Sequence, residues 1–372
     1  MRCEKMSSFI VMDIVKEAKK YEDAIHFEIG QPDLPPSPLV KKALHKAIDE
    51  DRFSYTESHG LYQLREKIVE HYKKEYSVEV DPSQVFLTPG TSGAFLIAYA
   101  LTLKHAGRLG LSDPSYPCYK NFAHFMSINP IFMPIGKHDD YQLHVKDLKD
   151  KNLDALQISS PANPTGNIYT SENLKELVEY CDKKDISFIS DELYHGLIYE
   201  QKVNSALEYN KNAYVINGFS KYYCVPGNRL GWVIVPKNRI RDAEKIAQNL
   251  FISAPTLSQY GALEAFDDEY LRKIREEFKT RRDYLFKELN EIFEVDAKPD
   301  GAFYLWVDVS KYSKDSFVFA KELLDTIHVA TTPGIDFGNN ETKKYLRFAY
   351  TREIGHMQEG IDRIKKYLFK KS

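Results

Sequence analysis

The chain has 372 residues, of which 43% are hydrophobic and 28% are charged, a composition typical of a globular protein with a large buried core. Its formal net charge is −3, so it lacks the basic field that binding to nucleic acid or to an anionic membrane surface would require. The four cysteines are scattered and form no C-x-x-C pair, which argues against a disulfide or metal framework and favours a reducing, cytoplasmic location.

The N-terminal region shows no targeting signal. Its most apolar stretch runs from Phe9 to Val15, but Asp13 interrupts it and no small-residue cleavage site follows. No run of about 18 apolar residues occurs in the sequence. We therefore expect no signal peptide and no membrane or nucleic-acid partner.

Helix-like and strand-like segments then alternate along the first two thirds of the chain. Apolar residues at helical spacing predict helices over 38–48, 61–72, 91–104 and 171–182. Short apolar runs bounded by proline and glycine predict strands at 85–87, 108–112, 130–135, 155–159, 186–190, 213–217 and 232–235. Such interleaving predicts a mostly parallel sheet that is covered by helices on both faces.

The last third of the chain has a different pattern. A long helix is predicted over 269–292, followed by a strand at 302–309, a helix at 317–327, a strand at 344–350 and a final helix from 354. This order indicates a smaller α+β domain. No Pro/Gly/Ser linker precedes it, so we expect the two domains to pack closely.

Lys221 is the strongest chemical signal, because it ends the run Gly218-Phe219-Ser220-Lys221 directly after a predicted strand. Ligands of open α/β sheets gather at the carboxyl ends of strands, where a lysine among small residues can reach a cofactor aldehyde. Arg229, eight residues later, can grip a phosphate with two parallel hydrogen bonds. Taken alone, the pair is equally compatible with a solvated surface lysine and arginine.

Two further polar groups follow predicted strands. Asp191 closes the run at 186–190 and can pair with a protonated pyridine nitrogen, with Tyr194 within reach of the ring oxygen. Asn163 lies in a loop that is stiffened by flanking prolines, from which its amide can donate to the same oxygen. The structural alternatives are an aspartate helix cap beside a core tyrosine, and an ordinary Asn-Pro turn.

The turn Thr88-Pro89-Gly90-Thr91-Ser92 is the fourth signal, and it lies between a predicted strand and a predicted helix. Free backbone N–H groups and the helix dipole make such a turn a phosphate cradle. A plain glycine turn with a hydroxyl cap is the alternative. Four such signals in succession, each at a predicted strand end, are hard to explain as structural coincidence.

With these motifs the sequence resembles the class I/II aminotransferases, which are fold-type I enzymes that use pyridoxal 5'-phosphate (PLP). The resemblance extends from Gly30-Gln31-Pro32-Asp33 to Tyr345-Leu346-Arg347 and so covers nearly the whole chain. It implies an α/β fold whose large domain has a mostly parallel sheet of the seven-stranded type flanked by helices, with a smaller α+β domain. By this resemblance we expect an N-terminal arm at 1–40 that joins the small domain, a PLP-binding domain at 41–270 and a small domain at 271–372.

The resemblance also implies roles for the site residues. Lys221 would form the Schiff base with PLP and move the substrate Cα proton, while Asp191 would pair with the pyridine nitrogen. Asn163 and Tyr194 would bond the phenolic oxygen, and Asn163 would also face the substrate. The phosphate contacts would come from the glycine turn and from the lysine block, namely Gly90, Thr91, Ser92, Ser220 and Arg229.

Further implied contacts lie outside these motifs. Tyr116 would stack on the cofactor ring, with an ordinary core tyrosine as the alternative. Arg347 would clamp the substrate α-carboxylate, for which Arg352 is the alternative, and Gly30 would approach the substrate through its backbone. Tyr55 would reach the phosphate of the neighbouring subunit, a role that requires a homodimer with shared active sites.

One position departs from the family pattern. Many relatives carry a serine three residues before the lysine, where this chain has Gly218, so one side-chain contact to the phosphate is lost. The loss puts the set of phosphate contacts in question but leaves the role of Lys221 unaffected.

The activity implied by the resemblance is transfer of the amino group of an L-amino acid to a 2-oxo acid. A carbon–sulfur lyase, a decarboxylase or a related lyase on the same scaffold is the main alternative, and a non-enzymatic PLP-sensing regulator domain is a remote one. No G-x-G-x-x-G motif opens an early βαβ unit, which argues against a nicotinamide dehydrogenase. No metal site is expected. No second carboxylate-binding arginine is evident, so the class of the amino donor stays open.

Overall fold

The structure is a computed structural model, and it describes residues 2–371. Its α-helices, labelled α1 to α12 in chain order, span Ile10–Ala18, Pro38–Asp49, Tyr62–Tyr76, Gly90–Thr102, Pro117–Phe125, Val145–Leu148, Ser171–Lys183, Ile240–Leu250, Thr256–Ala262, Asp268–Asn290, Ser316–Ile327 and Ile354–Lys371. Its strands, labelled β1 to β13, span Ile25–His26, Val85–Pro89, Arg108–Asp113, Asn129–Pro134, Ala155–Ser159, Ser187–Asp191, Tyr214–Gly218, Leu230–Ile234, Glu294–Val295, Tyr304–Asp308, Val329–Ala330, Thr332–Pro333 and Tyr345–Ala349. Across residues 2–371, every helix is too short or too polar to cross a membrane.

The main sheet has the strand order β2-β8-β7-β6-β5-β3-β4. Strand β8 runs antiparallel to both of its neighbours, whereas the other paired strands are parallel. The strands are apolar along almost their whole length because helices cover both faces of a parallel sheet, and β7 is buried at every position. The predicted mostly parallel sheet, and with it the α/β fold class, is confirmed.

The sheet topology brings the predicted chemical residues to one edge. Strands β2, β5, β6 and β7 are parallel to one another, so the loops that follow them leave the sheet on the same side. These loops carry the glycine turn, Asn163, the segment after Asp191, and Lys221. Strand spacing within a sheet is about 5 Å, so side chains from adjacent strand ends can converge on one small ligand.

A second sheet with the order β12-β13-β10-β9 lies in the last third of the chain, where α10 and α11 pack against it and α12 packs against α10, α11 and the short strands β1 and β11. The short strand β1 pairs in parallel with β11, which joins the N-terminal segment to this region. That pairing agrees with an N-terminal arm at 1–40 that joins a small domain, and α10 begins next to the expected boundary at 271. The two boundaries between the three predicted regions stay predictions.

Five helices, α1, α5, α6, α8 and α9, are absent from the elements predicted by sequence pattern. Four of them, α1, α5, α8 and α9, do not begin at a residue whose side chain caps the free N–H groups, and α6 is a single turn of four residues. A capping serine, threonine, aspartate or asparagine is the main sequence signal for a helix start. Helix α1 is instead capped from a distance, since the Asp336 carboxylate accepts hydrogen bonds from the N–H groups of Ile10 and Val11, each at 3.2 Å.

Candidate active site

The four strand-end loops surround a cavity of about 290 Å³. Residues from β13, from the segment 29–31 and from α1 complete its wall. The predicted site residues that line it are Gly30, Thr91, Ser92, Tyr116, Asn163, Asp191, Tyr194, Ser220, Lys221, Arg229 and Arg347. The structure therefore brings together residues that are separated by more than three hundred positions in the chain.

Lys221 lies three residues beyond the end of β7, and its side chain enters this cavity. Its Nζ donates a hydrogen bond to the Gly30 carbonyl at 2.6 Å. Burial, together with the nearby Arg347 and Arg229 cations, lowers the pKa of Lys221 to about 8, and Asp191 opposes part of this shift. A larger fraction of this amine is therefore neutral at physiological pH than of an ordinary lysine, as a nucleophile requires.

Asp191 is the last residue of β6 and is only 5% exposed. Its carboxylate accepts hydrogen bonds from the Tyr119 hydroxyl and, at 3.1 Å, from the Leu193 backbone N–H. Burial raises the pKa of Asp191 to about 6, although both hydrogen bonds and the Lys221 charge act in the opposite direction. A carboxylate in such surroundings is suited to pair with a cationic group of a ligand.

One end of the cavity contains groups that can bind an anion. Helix α4 begins at Gly90, where φ is +67°, and Thr91 and Ser92 of its first turn line the cavity, where the N–H groups of a helix N-terminus can bind an anion. A side chain at Gly90 would bring a Cβ within 2.4 Å of Arg229 Nη2. The Arg229 guanidinium and the helix N-terminus can therefore approach the same ligand. Ser220 adds a buried hydroxyl.

Gly218, where the chain departs from the family pattern, has a packing role. A Cβ at this position would lie 3.0 Å from both Gly231 Cα and Thr91 Cγ2, in the layer where β7, β8 and α4 meet. Contacts this short are tighter than ordinary packing allows, so a serine would need its neighbours to move. Gly218 thus allows α4 to pack tightly on β7 and β8.

Arg347 occupies the opposite end, on β13, and is 3% exposed. Its guanidinium donates to Asn163 Oδ1 at 2.9 Å and to the Glu28 carbonyl at 2.7 Å. The Tyr304 and Phe337 rings lie 4.3 and 4.9 Å from the guanidinium carbon, measured to their centroids. Arg352, the alternative predicted from the sequence, is not among the residues that line the cavity.

Two tyrosines that no sequence motif identifies belong to the site. Tyr304, on β10, exchanges a hydrogen bond of 2.8 Å with the Tyr194 hydroxyl, and a Cβ at Gly30 would lie 2.3 Å from its Oη. Tyr119 is on the first turn of α5, three residues after Tyr116. That spacing would have identified Tyr119 had α5 been predicted, because residues i and i+3 share a helix face. Nothing in the sequence pattern singles out Tyr304.

Tyr55 is the one predicted cofactor residue that lies away from the cavity. It is 78% exposed and belongs to a surface depression formed with Tyr62, Thr256 and Tyr260. Gly90 does not line the cavity either, but it contacts Arg229 as described above. Within residues 2–371, no group of three or more His, Cys, Asp or Glu side chains is placed to hold a metal ion.

The charged groups that line the cavity fit PLP. Among the described residues that line the cavity, three side chains are cationic and one is a carboxylate, namely Lys221, Arg229, Arg347 and Asp191. A buried amine, a buried carboxylate, and a helix N-terminus beside an arginine match the aldehyde, ring nitrogen and phosphate of that cofactor.

Comparisons with known proteins agree with this geometry. Residues 22–364 match the family model of aminotransferase class I and II. The chain is 38% identical to a (5-formylfuran-3-yl)methyl phosphate transaminase of Methanocaldococcus jannaschii, covering 99% of each protein. It is 32% identical to a valine–pyruvate aminotransferase of Mycobacterium tuberculosis, covering 97% of this chain and 96% of the relative.

A solved structure of an aminotransferase from Mycobacterium tuberculosis superposes with a TM-score of 0.95 at 32% identity, covering 99% of this chain and 98% of that one. The predicted family, the PLP dependence and the transaminase activity are therefore confirmed. This chain belongs to the class I and II aminotransferases, PLP-dependent enzymes that move an amino group between an amino acid and a 2-oxo acid.

Proposed function

We propose that Lys221 is the residue that bonds the cofactor in this aminotransferase and that moves the substrate Cα proton. The observation that carries the proposal is a buried amine of lowered pKa in the cavity that also contains Asp191 and Arg347. When bound, PLP supplies an aldehyde that takes up an amino group and a ring that accepts electrons.

The residues around Lys221 have complementary tasks in this proposal. Asp191 pairs with the pyridine nitrogen, and the hydrogen bond from Tyr119 fixes the orientation of its carboxylate. Asn163 and Tyr194 hold the phenolic oxygen, and Tyr116 packs against the ring. Such fixed contacts orient the reacting bonds before the reaction starts, which reduces the entropy lost at the transition state.

The phosphate is held at the N-terminus of α4. We assign it to the backbone N–H groups of Thr91 and Ser92, the Arg229 guanidinium and the Ser220 hydroxyl, with Gly90 providing the turn. Charge-assisted hydrogen bonds to phosphate are about twice as strong as neutral ones, so this end contributes strongly to cofactor affinity.

Arg347 binds the substrate α-carboxylate, with Gly30 and Asn163 beside it. The Arg347 Nε atom is buried and has no hydrogen-bond partner among residues 2–371, which leaves one N–H available to a ligand. Lys221, once its nitrogen is released by the incoming amine, would accept the Cα proton and deliver it to a different carbon rather than back to Cα, as net transfer of the amino group requires. Positioned proton transfer of this kind contributes about 10²–10⁴-fold in rate.

We also infer a homodimer with shared active sites. Two segments of the chain that are joined by the hydrogen bond from Thr256 Oγ1 to the Ser54 carbonyl carry exposed apolar side chains, namely Phe53 and Tyr55 on one and Leu250 and Ile252 on the other. Exposed large apolar side chains in neighbouring segments are expected at an interaction site. The neighbouring Phe251 packs on Gly93 of α4, so this surface adjoins the phosphate end of the cavity.

A cytoplasmic location is part of the proposal as well. Its support is that Cys118, Cys181 and Cys224 are free thiols, as expected in a reducing compartment. The side chain of Cys3 lies outside the described residues.

The first prediction concerns the covalent bond. After addition of PLP and reduction with borohydride, peptide mass spectrometry of the wild-type protein should find the pyridoxyl mass on Lys221. Lys221→Ala should lose both this label and turnover, whereas the exposed-lysine control Lys237→Ala should keep both. A label on another lysine in the wild-type protein, or turnover by Lys221→Ala, would contradict the assignment.

The second prediction concerns pH. Because the neutral amine attacks the aldehyde and the pKa of Lys221 is lowered to about 8, the rate of PLP capture by the cofactor-free protein should rise with pH and level off above about 8. Arg347→Met removes a cation that lowers this pKa, so the inflection in the pH profile of PLP capture by this variant should move to higher pH. Stopped-flow absorbance measures both profiles, and an inflection that stays in place or moves down would refute the assigned cause.

The third prediction concerns the carboxylate clamp. Arg347→Ala should lower kcat/KM for the amino donor about 100-fold, since hydrogen bonds to a charged partner are worth about 3 kcal/mol, while PLP stays bound. Arg347→Lys should recover only part of the loss because lysine lacks the bidentate geometry. Arg352→Ala is the matched control, and an equal effect there would remove Arg347 from this role.

The fourth prediction concerns the shared site. Tyr55→Phe should weaken PLP binding about 10-fold through loss of one hydrogen bond to a charged group, and the exposed control Tyr62→Phe should not. Mixed dimers of Tyr55→Phe and Lys221→Ala chains should regain one site of wild-type affinity, because the Lys221→Ala chain supplies Tyr55. A monomer in sedimentation, or no recovery on mixing, would refute the shared site.

A further inference from the structure

The wall of the cavity that is formed by the N-terminal segment is apolar except at Gln31. Five apolar side chains with no assigned role line it, namely those of Phe9, Val11, Met12, Val15 and Ile29. We propose that this apolar wall receives the side chain of the amino donor, and that the preferred donors carry an uncharged, apolar side chain. The proposal rests on the roles assigned above to Lys221 and Arg347.

The position of the apolar wall supports this use. Ile29 lies between Glu28, whose carbonyl accepts from Arg347, and Gly30, whose carbonyl accepts from Lys221. Phe9 meets the Tyr116 ring edge-on, with 6.0 Å between ring centroids. A donor whose carboxylate is bound by Arg347 and whose amine faces Lys221 therefore has this wall as its neighbour.

The apolar wall is attached to both parts of the molecule. The Ser7 backbone N–H donates to Asn121 Oδ1 on α5 at 3.0 Å. At the start of α1, the Ile10 and Val11 N–H groups donate to the buried Asp336 carboxylate, each at 3.2 Å. Helix α1 also contacts β11 and β12. The apolar side chains are thus held in place by hydrogen bonds on either side of the cavity.

The charges of the cavity argue against an acidic donor. Among the described residues that line it, the cations are Lys221, Arg229 and Arg347, and the roles proposed above already use all three. A second carboxylate on the donor would lie against aliphatic and aromatic carbon without a cationic partner from this chain. Burying an unpaired carboxylate raises the free energy of the complex, whereas burying an isopropyl group of the same shape lowers it.

Leucine and aspartate are suitable probes, because an isopropyl group replaces a carboxylate of nearly the same size at the same position. 4-Methylpentanoate and succinate form the same pair without the amine. With PLP-loaded protein, the rate at which each donor removes the visible absorbance of the cofactor should be at least about 10-fold higher for leucine than for aspartate. In equilibrium titrations, 4-methylpentanoate should bind at least about 10-fold more tightly than succinate.

Met12→Arg tests whether this wall sets the preference. A cation there should reduce or reverse the leucine-to-aspartate ratio, whereas Met12→Leu should keep it. Met6→Arg, which introduces the same charge at an exposed methionine outside the cavity, should also keep the wild-type ratio.

The outcomes separate this proposal from the one on which it rests. If aspartate reacts faster than leucine in the wild-type protein, the apolar-donor proposal is overturned, and a cation from a second subunit would be the explanation. The proposal is also overturned if Met12→Arg behaves like Met6→Arg. In both cases the role of Lys221 stands. If no amino acid changes the absorbance although borohydride still labels Lys221, both the proton-transfer role of Lys221 and the donor proposal fail. Faster reaction of leucine, together with a lower ratio in Met12→Arg alone, supports the proposal.

Discussion

The active site depends on how the segment 28–30 is held, because its backbone joins the two groups that handle the substrate. Successive carbonyls of this segment accept hydrogen bonds from Arg347, Thr351 and Lys221. Arg347 lies on the small sheet, whereas Lys221 follows a strand of the large one. Buried backbone carbonyls need partners, so this arrangement satisfies the segment and also fixes the spacing between the amine and the guanidinium. A shift of the N-terminal segment would therefore disturb both groups together.

Burial acts in opposite directions on the two titratable groups at the centre of the site. It raises the pKa of Asp191 to about 6 and lowers the pKa of Lys221 to about 8, so that in each case the charged form is less favourable than it would be in water. A ligand that brings a cation to the carboxylate and consumes the amine in a covalent bond relieves both costs. Part of the affinity for the cofactor can therefore come from relieving the unfavourable electrostatics of these two buried groups.

Sequence pattern could predict the parts of the fold and site that have a local signal. The strand-end loops can be predicted because each follows a short apolar run, and helices with a strong apolar stripe can be predicted from the spacing of their apolar residues alone. Helix α1 lacks a local capping residue, because its N–H groups are capped by Asp336, more than three hundred residues away. Tyr119 and Tyr304 are missed for a related reason, since their roles arise from contacts with Asp191 and Tyr194 that only the folded chain creates. The predicted contact of Tyr55 with the cofactor phosphate of a neighbouring subunit requires a second chain, so the fold of one chain does not reveal it.

The close packing of glycines at the phosphate end has a consequence for how the enzyme can change. A Cβ at Gly231 would lie 2.8 Å from the backbone of Gly90 and Thr91, so this corner has almost no freedom to accept new side chains. The residues of α1 lie on a separate stretch of chain, and Met12 is largely solvent-facing. Mutational effects at sites that share no contacts are usually additive. In the proposal made above, substitutions at Met12 should therefore change donor choice with little effect on the phosphate contacts, whereas Phe9 packs against Tyr116 and is not independent of the cofactor ring.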